Sequence, residues 1–171
     1  MIHIKNSSIE GKGIFASSDI KKGEIICHMT GNPISVEELK KRYVSGEVRV
    51  DDPFQIKDDT YLLLDSPYLF INHSCSPNSG IREVSILVAI KDIKKEEEIT
   101  YDYSTTEWSD RTIWGIDWQE KWIMKCNCKS DNCRKEVKEF FLLPDELKKD
   151  YSAKKILPSF ILEKINKNLS F

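Results

Sequence analysis

Three cysteines within the octapeptide CNCKSDNC, residues 126–133, restrict most strongly how this chain can fold. Cys126, Cys128 and Cys133 form C-x-C-x4-C among lysine, serine, aspartate and asparagine, where apolar packing gives no reason for thiols. This spacing predicts a metal site, and a structural zinc almost always takes four ligands. The fourth ligand must therefore come from a distant segment.

Two further cysteines compete to be the fourth ligand. Cys27 alternates with Ile25 and Met29 along a predicted strand, so it is most simply a small buried apolar residue. Cys75 lies in a polar turn, where a thiolate has no packing reason to be. Cys75 is therefore favoured. The remaining options are His3, His28 and His73.

The composition is that of an ordinary folded protein without a strong charge bias. The 171 residues are 40% hydrophobic and 32% charged, with a formal net charge of −2, so one domain without direct nucleic-acid binding is expected. No stretch reaches the ~20 apolar residues of a membrane helix, so no membrane partner is expected. The opening MIHIKNSSIEGKG is not typical of a secretory signal. Clustered thiols without such a signal predict an intracellular, reducing compartment, cytoplasmic or nuclear.

Short strands are predicted over the first two-thirds of the chain and helices over the rest. Alternating apolar residues bounded by turn residues predict strands at 2–4, 13–16, 24–29, 54–56, 61–65, 85–90 and 98–103. Ser35 followed by Glu38 is a capping-box pattern that predicts a helix over 36–45. Helical patterns follow at 117–124, 143–151 and 158–169. The fold class is therefore α+β and β-rich, without alternating βαβ units.

Two motifs in the first half of the chain are candidates for binding. Gly11-Lys12-Gly13 lets the backbone turn tightly and approach a ligand, although a plain hairpin turn is the simpler explanation. INHSCSPN, residues 71–78, places a histidine and a cysteine two positions apart in what could otherwise be a polar turn. A nucleophilic pair of His73 with Cys75 is a further option, although residues two apart rarely face each other.

The third motif is EEEITYDY, residues 96–103. On a strand, Ile99, Tyr101 and Tyr103 would share one face, which places two phenols beside Asp102. A buried tyrosine cluster is the alternative to a functional site here.

GKGIFA, NHSCSPN, EEEITYDY and CNCKSDNC, in this order, resemble the motifs of SET-domain protein lysine methyltransferases with a post-SET zinc motif. The resemblance spans roughly residues 9–135, and NHSC-x-PN and C-x-C-x4-C are its specific parts. It implies several small β-sheets, a pseudoknot of the NHSC segment with the segment after EEEITYDY, and C-terminal helices. It also implies S-adenosylmethionine as methyl donor, a structural zinc, and a protein or peptide lysine as substrate, with a histone as one candidate.

The resemblance assigns the cofactor site residue by residue. The backbone around Gly11, Lys12 and Gly13 would cradle the methionine end of S-adenosylmethionine. Asn72 and His73 would hold the cofactor, with backbone groups at their turn pairing with its adenine.

The resemblance also assigns the reacting centre and the zinc site. Tyr103 matches the catalytic tyrosine. Tyr101 would line the substrate channel where many members carry phenylalanine, and its extra hydroxyl is expected to favour one or two methyl additions. Cys75 matches the core thiolate that completes the zinc site. The other three ligands would be Cys126, Cys128 and Cys133.

The sequence departs from the family pattern ahead of Asn72 and after Tyr103. The usual G-N-x-x-R-F-I-N-H reads SPYLFINH, with Leu69 in place of arginine, which alters part of the cofactor pocket. The expected division is a SET core at 1–104, a Trp-rich insert at 105–125, a post-SET zinc knuckle at 126–135 and a C-terminal helical extension at 136–171. The insert is expected to pack against the C-terminal helix, and a wall of the substrate site is the alternative. The insert contains Trp108, Trp114, Trp118 and Trp122.

Two other functions compete with lysine methylation. One is a catalytically silent, zinc-stabilised protein-binding module of the same fold. The other is a thiol-based redox or hydrolytic enzyme that uses Cys75 and His73.

Overall fold

The computed structural model describes residues 2–49, 52–108 and 123–168, in which short strands dominate. The strands are β1 Ile2–Asn6, β2 Lys12–Ala16, β3 Ile25–His28, β4 Gly31–Ser35, β5 Pro53–Lys57, β6 Thr60–Leu64, β7 Asn72–His73, β8 Ser79–Arg82, β9 Ile86–Ala89, β10 Glu98–Tyr101, β11 Met124–Lys125 and β12 Glu136–Val137. The helices are α1 Val36–Ser45, α2 Asp145–Ala153 and α3 Ser159–Asn168. The prediction of a β-rich α+β fold with several small sheets is confirmed.

One sheet, in the order β1-β2-β10-β7, carries parts of the GKGIFA, NHSCSPN and EEEITYDY motifs side by side. β1 and β2 form an antiparallel hairpin, and β10 pairs with β2 on its other side. β7 runs parallel to β10, with Thr100 opposite Asn72 and Tyr101 opposite His73. This parallel pair places the NHSC segment directly against the EITY segment.

Three smaller sheets complete the strand arrangement of the described residues. Their orders are β3-β9-β8, β4-β6-β5 and β11-β12. The predicted helix over 36–45 is confirmed as α1, because the Ser35 hydroxyl accepts the Glu38 N–H at 3.3 Å. Gly46, with φ of 78°, ends α1 in the left-handed conformation that glycine favours.

Two separate apolar clusters hold the sheets and the C-terminal helices. The larger cluster lies among the sheets and includes the fully buried Ile14, Leu87 and Ile99. The second joins Val88 of β9 to apolar residues of the C-terminal segment. Its other buried members are Phe140, Leu143, Tyr151, Ile156, Leu157, Phe160 and Ile161. The C-terminal helices therefore pack onto the β3-β9-β8 sheet through a separate apolar cluster.

The strand predicted at 98–103 is two residues too long. β10 ends at Tyr101 because the Asp102 carboxylate accepts the Ser104 N–H at 3.0 Å and starts a 3-10 turn over Tyr103–Thr106. The prediction that Tyr103 lies on a strand face with Ile99 and Tyr101 is therefore wrong. The two phenol rings are nevertheless neighbours, with centroids 4.9 Å apart.

The predicted Trp-rich insert is described only at its edges. Trp114, Trp118, Trp122 and most of the helix predicted at 117–124 lie outside the described residues, whereas Met124 lies in β11 and not in a helix. The Trp108 ring stacks on Phe140 with centroids 6.1 Å apart, next to the C-terminal cluster. Within the described ranges, no helix combines the length and the apolar character that crossing a membrane requires.

Candidate active site and metal centre

Two cavities of very different size border Tyr103. The large cavity has a volume of about 300 Å³, and the narrow cavity of about 20 Å³. Both are lined by Tyr103 and Leu69. Four predicted cofactor residues line the large cavity: Gly11, Lys12, Asn72 and His73. Tyr101 lines only the narrow one.

Hydrogen bonds at both ends fix the position of Tyr103. Its hydroxyl donates to the Ile71 carbonyl at 2.7 Å, and its backbone N–H donates to His73 Nδ1 at 3.2 Å. Tyr101 beside it is buried, and burial raises the pKa of its phenol well above the usual value. The narrow cavity thus contains a phenol that remains protonated at neutral pH.

Asn72 uses its side chain to hold the hairpin loop in place. Its Nδ2 donates to the Lys12 carbonyl at 2.9 Å, the Glu10 carbonyl at 3.2 Å and Glu98 Oε1 at 2.8 Å. The position of Glu98 also requires a glycine at residue 13, because a Cβ there would lie 2.3 Å from Glu98 Oε1. Gly13 therefore makes room for a carboxylate and is not among the residues that line the large cavity.

Asp102 joins the sheet, the knuckle (residues 126–135) and helix α2. Arg134 of the knuckle donates through both terminal nitrogens to the two carboxylate oxygens, each at 2.7 Å. The Tyr151 hydroxyl of α2 donates to Oδ2 at 2.6 Å. Burial acts to raise the pKa of Asp102, but the hydrogen bonds and charge of Arg134 outweigh it and hold the pKa below its usual range.

Four potential metal ligands converge beside this network. Their donor atoms all lie within 4.8 Å of one another, and the residues are His73, Cys75, Cys126 and Cys128. Cys75 Sγ is 3.7 Å from Cys126 Sγ, which matches the edge of about 3.8 Å that tetrahedral Zn–S bonds of ~2.3 Å require. Cys133 is not in this group of four, but it packs against Cys126 in the same cluster.

The hydrogen bonds of His73 indicate which of its nitrogens is protonated. Burial lowers the pKa of His73 to about 4, although Asp102 acts in the opposite direction, so the ring is neutral at pH 7. Nδ1 accepts the Tyr103 N–H, which assigns the proton to Nε2. Nε2 lies 3.3 Å from Cys75 Sγ and can donate to it. With Nε2 protonated, His73 has no lone pair for a metal at that atom. Cys133 then stays the predicted fourth ligand, although His73 and not Cys133 lies within 4.8 Å of the other three donors.

The pKa values of the cluster thiols argue against Cys75 as a nucleophile. Burial raises the pKa of Cys75 to about 11, so without a cation this thiol is protonated at pH 7. In Cys128 burial acts in the same direction, but the Cys75 N–H and Ser130 hydrogen bonds lower the pKa to about 6. The expectation that His73 and Cys75 do not face each other is wrong, yet their contact does not produce an activated thiolate.

Sequence patterns did not single out Glu98, Arg134 or Tyr151, although each holds a predicted site residue or its neighbour. The only local signal was that Arg134 directly follows Cys133.

Comparison with known proteins identifies the family of this arrangement. The family model described as "SET domain" matches residues 11–104, more than half of the chain. The "Variant-silencing SET domain-containing protein" of Plasmodium falciparum is 34% identical over 150 residues, covering 77% of this chain and 5% of the relative. The "Histone-lysine N-methyltransferase trithorax" of Drosophila virilis is 30% identical over 146 residues, covering 78% of this chain and 4% of the relative.

A solved structure shows the same relationship. A humanized mutant of the Chaetomium thermophilum Polycomb Repressive Complex 2, bound to an inhibitor, superposes with a TM-score of 0.56 at 26% identity, covering 64% of this chain and 16% of the solved chain. The chain therefore spans only a small part of these three proteins. Because the family model covers more than half of the chain, with strands β2 to β10, both tyrosines and the NHSC segment, this chain belongs to the SET-domain family.

Proposed function

We propose that this chain transfers a methyl group from S-adenosylmethionine to a lysine side chain of a protein, with a histone as the first candidate. The position of Tyr103 carries this proposal, because this residue borders both the large and the narrow cavity. The large cavity falls in the size range of cofactor sites. A histone is the first candidate because relatives with about 30% identity are named histone-lysine N-methyltransferases. A histone substrate would place the protein in the nucleus.

The narrow cavity suits a lysine chain that must lose its proton. A lysine amine has a pKa of ~10.4 in water and is charged at neutral pH. The rings of Tyr68, Tyr101 and Tyr103 line this cavity and disfavour the ammonium form. The Asp52 and Glu107 carboxylates also line it and would instead attract the charged lysine as it enters. Bound S-adenosylmethionine supplies the methyl group on a positively charged sulfur. The main work of the chain is then to align the two reactants from opposite sides.

Tyr103 would serve this alignment as an acceptor. Its hydroxyl proton is committed to the Ile71 carbonyl at 2.7 Å, so the phenol oxygen is the part that can contact the amine or the methyl group. Its contacts with Ile71 and His73 fix the ring before a substrate arrives.

Zinc would fasten the knuckle to the wall of the large cavity. The ligands would be Cys75, Cys126, Cys128 and Cys133, and the cation would convert the buried thiols to thiolates. Four thiolates leave no open position for substrate, so the metal is structural. Because Met124, Cys126 and Asn127 line the large cavity, holding the knuckle in place completes the cofactor site.

Substitution of one zinc ligand tests this role. We expect Cys128→Ser to weaken binding of S-adenosylhomocysteine and of substrate peptide together, as measured by calorimetry. Full methyl transfer by a zinc-stripped sample would contradict it.

Tyr101 would limit the number of methyl groups added. Its buried hydroxyl occupies space beside Tyr103 that a larger, methylated amine would need. We expect Tyr101→Phe to shift the product towards higher methylation, measured by mass spectrometry of the peptide. An unchanged product distribution would remove this role.

The decisive experiment combines binding and turnover. Zinc-loaded protein is incubated with radiolabelled S-adenosylmethionine and a panel of histones and cell lysates, with Tyr103→Phe as the matched variant. Labelled lysine that disappears with Tyr103→Phe supports the enzyme. Binding of S-adenosylhomocysteine with no labelled product on any protein would favour the catalytically silent module.

A further inference from the structure

Arg134 contacts two parts of the site with its two ends. Its backbone N–H donates to Cys75 Sγ at 3.4 Å, which makes it a neighbour of the predicted metal ligand from the sheet. Its guanidinium forms the two 2.7 Å hydrogen bonds to Asp102, and one nitrogen also donates to the Ser104 hydroxyl at 3.2 Å. One residue thus spans the distance from the thiol cluster to the segment that carries both tyrosines.

Asp102 links the Arg134 guanidinium to the backbone on either side of Tyr103. Its Oδ1 accepts the Ser104 N–H at 3.0 Å, and its backbone carbonyl accepts the Thr105 N–H at 2.9 Å. These bonds form the start of the 3-10 turn in which Tyr103 is the first residue. A shift of the Asp102 carboxylate would therefore move the backbone on either side of Tyr103.

Because both side chains are largely buried, the ion pair between Asp102 and Arg134 has no solvated, partly formed alternative. The side chains of Asp102 and Arg134 are 1% and 18% exposed. A carboxylate this deeply buried depends on its cation, so the pair is either formed or the segment rearranges. A planar guanidinium with two parallel bonds also fixes direction, which a lysine ammonium cannot do.

We propose that Arg134 is a positioning residue that couples metal binding in the knuckle to the placement of Tyr103 through Asp102. The role of Tyr103 in this coupling rests on the proposed methyl transfer, but the coupling itself is a property of the fold. With the metal bound, Cys75 is held as a thiolate that accepts the Arg134 N–H, and the guanidinium is aimed at Asp102. Without the metal, Cys75 is no longer fixed by coordination, so the hydrogen bond from the Arg134 N–H holds the backbone less firmly.

A purely structural role makes a different prediction, and Tyr151 provides the contrast. Tyr151 binds the same carboxylate at 2.6 Å but comes from α2 and, among the described residues, belongs to the C-terminal apolar cluster and not to the cluster of thiols. If Arg134 only helped to bury Asp102, loss of either partner would have the same effect on the metal site. If Arg134 is the coupling residue, removing Arg134 lowers the zinc affinity and removing the Tyr151 hydroxyl does not.

The first test measures zinc affinity by competition with a chromophoric chelator. We expect Arg134→Gln to lower zinc affinity about 10- to 100-fold, the range seen when groups that support metal ligands are removed. We expect Arg134→Lys to recover part of that loss, and Tyr151→Phe to leave zinc affinity unchanged. Lys138→Met is a matched control, since it removes one positive charge from an exposed pair with Glu136 next to the knuckle. Equal loss in Arg134→Gln and Tyr151→Phe would overturn the proposal.

The second test follows the backbone around Tyr103 by amide hydrogen exchange. In the unaltered protein, we expect removal of zinc to accelerate exchange at Ser104 and Thr105. The double variant Asp102→Asn/Arg134→Gln leaves no unpaired buried charge and serves if Arg134→Gln alone fails to fold. Its exchange should respond to zinc much less, with only the part that passes through His73, which contacts both Cys75 and the Tyr103 N–H, remaining. A full zinc response in that variant would overturn the coupling.

Neither test uses methyl transfer as its readout. If no substrate is ever methylated but the zinc response behaves as expected, the proposed function fails and the coupling stands. If methylation is found and the double variant keeps its full zinc response, the coupling fails and the function stands.

Discussion

Asp102 and Asp19 accept the same kinds of hydrogen bonds in two very different environments. Asp19 accepts the Lys95 N–H and the Lys94 ammonium, each at 2.9 Å, across a surface loop. Those two contacts, the backbone bond first, lower the pKa of Asp19. Asp102 accepts a backbone N–H, a guanidinium and a phenol in the interior. The partners are alike in kind, and burial is the main difference.

This difference in burial determines how much each carboxylate contributes to the free energy of unfolding. At the surface, water solvates both ions whether or not they touch, so exposed pairs contribute little. In the interior, an ion that loses its partner keeps its desolvation penalty, so the pair is strongly cooperative. The paired lysines visible in the sequence are therefore the weak contacts. The strong contact joins residues 32 and 49 positions apart, where no sequence pattern points to it.

The largest expected effect comes from removing the buried carboxylate. Asp102→Ala leaves the Arg134 guanidinium partly buried without an anion, which should lower the free energy of unfolding by about 3–5 kcal/mol. Urea denaturation of the zinc-loaded protein measures this change. A loss below about 1 kcal/mol would show that the interior pair behaves like a surface pair.

Removing only the phenol contact should have a smaller effect. Tyr151→Phe deletes one hydrogen bond to a buried carboxylate that keeps its guanidinium, so we expect a loss of about 1.5–3 kcal/mol. The same urea titration measures it. Because the ring of Tyr151 belongs to the C-terminal apolar cluster, Phe preserves the packing. Stability equal to that of Asp102→Ala would mean that Arg134 adds nothing.

Glu98 is an intermediate case between the two carboxylates. It is half-buried and accepts the Ser7 hydroxyl at 2.7 and 2.9 Å. Ser7→Ala should lower the free energy of unfolding by about 1 kcal/mol. Ser8→Ala is the matched control because Ser8 is exposed and contributes its backbone carbonyl, not its hydroxyl, to Lys129. Identical unfolding curves for the two variants would place Glu98 with the surface carboxylates.

The smallest effect is expected at the surface loops. Asp19→Asn and Asp92→Asn keep the shape of each side chain and remove an exposed charge that pairs with lysine. We expect no measurable change in the thermal unfolding midpoint at low or high salt. A clear loss that disappears at high salt would show that these surface pairs are worth more than their exposure suggests.

Local patterns predicted the elements whose signals are contained within a few residues. Ser35 and Glu38 predicted α1 with its correct bounds because a capping box is read within one helical turn. β7 was missed because two residues show no periodicity, and its pairing with β10 depends on contacts about 28 positions apart. The end of β10 was missed because Asp102 looked like a strand residue and acts as a cap.

The site was predicted in outline because its motifs are specific. The thiols, the hairpin loop and Tyr103 do lie together, and Cys75 was preferred over Cys27 from local polarity alone. Cys27 is instead packed beside the main cluster, where burial raises its pKa to about 11. Local chemistry could not predict the hydrogen-bond partners within the site. The side chain of Asn72 bonds to the Lys12 carbonyl, and that of His73 contacts Cys75 Sγ.

The distribution of Asp102's partners also bears on how the chain becomes functional during synthesis. The sheet strands and Tyr103 leave the ribosome before Arg134 and Tyr151, because synthesis proceeds from the N-terminus. Until both arrive, the nascent sheet contains a carboxylate that it cannot bury at low free energy. Tyr103 would therefore reach its final position only after the C-terminal helices emerge, and an incomplete chain would lack the proposed activity.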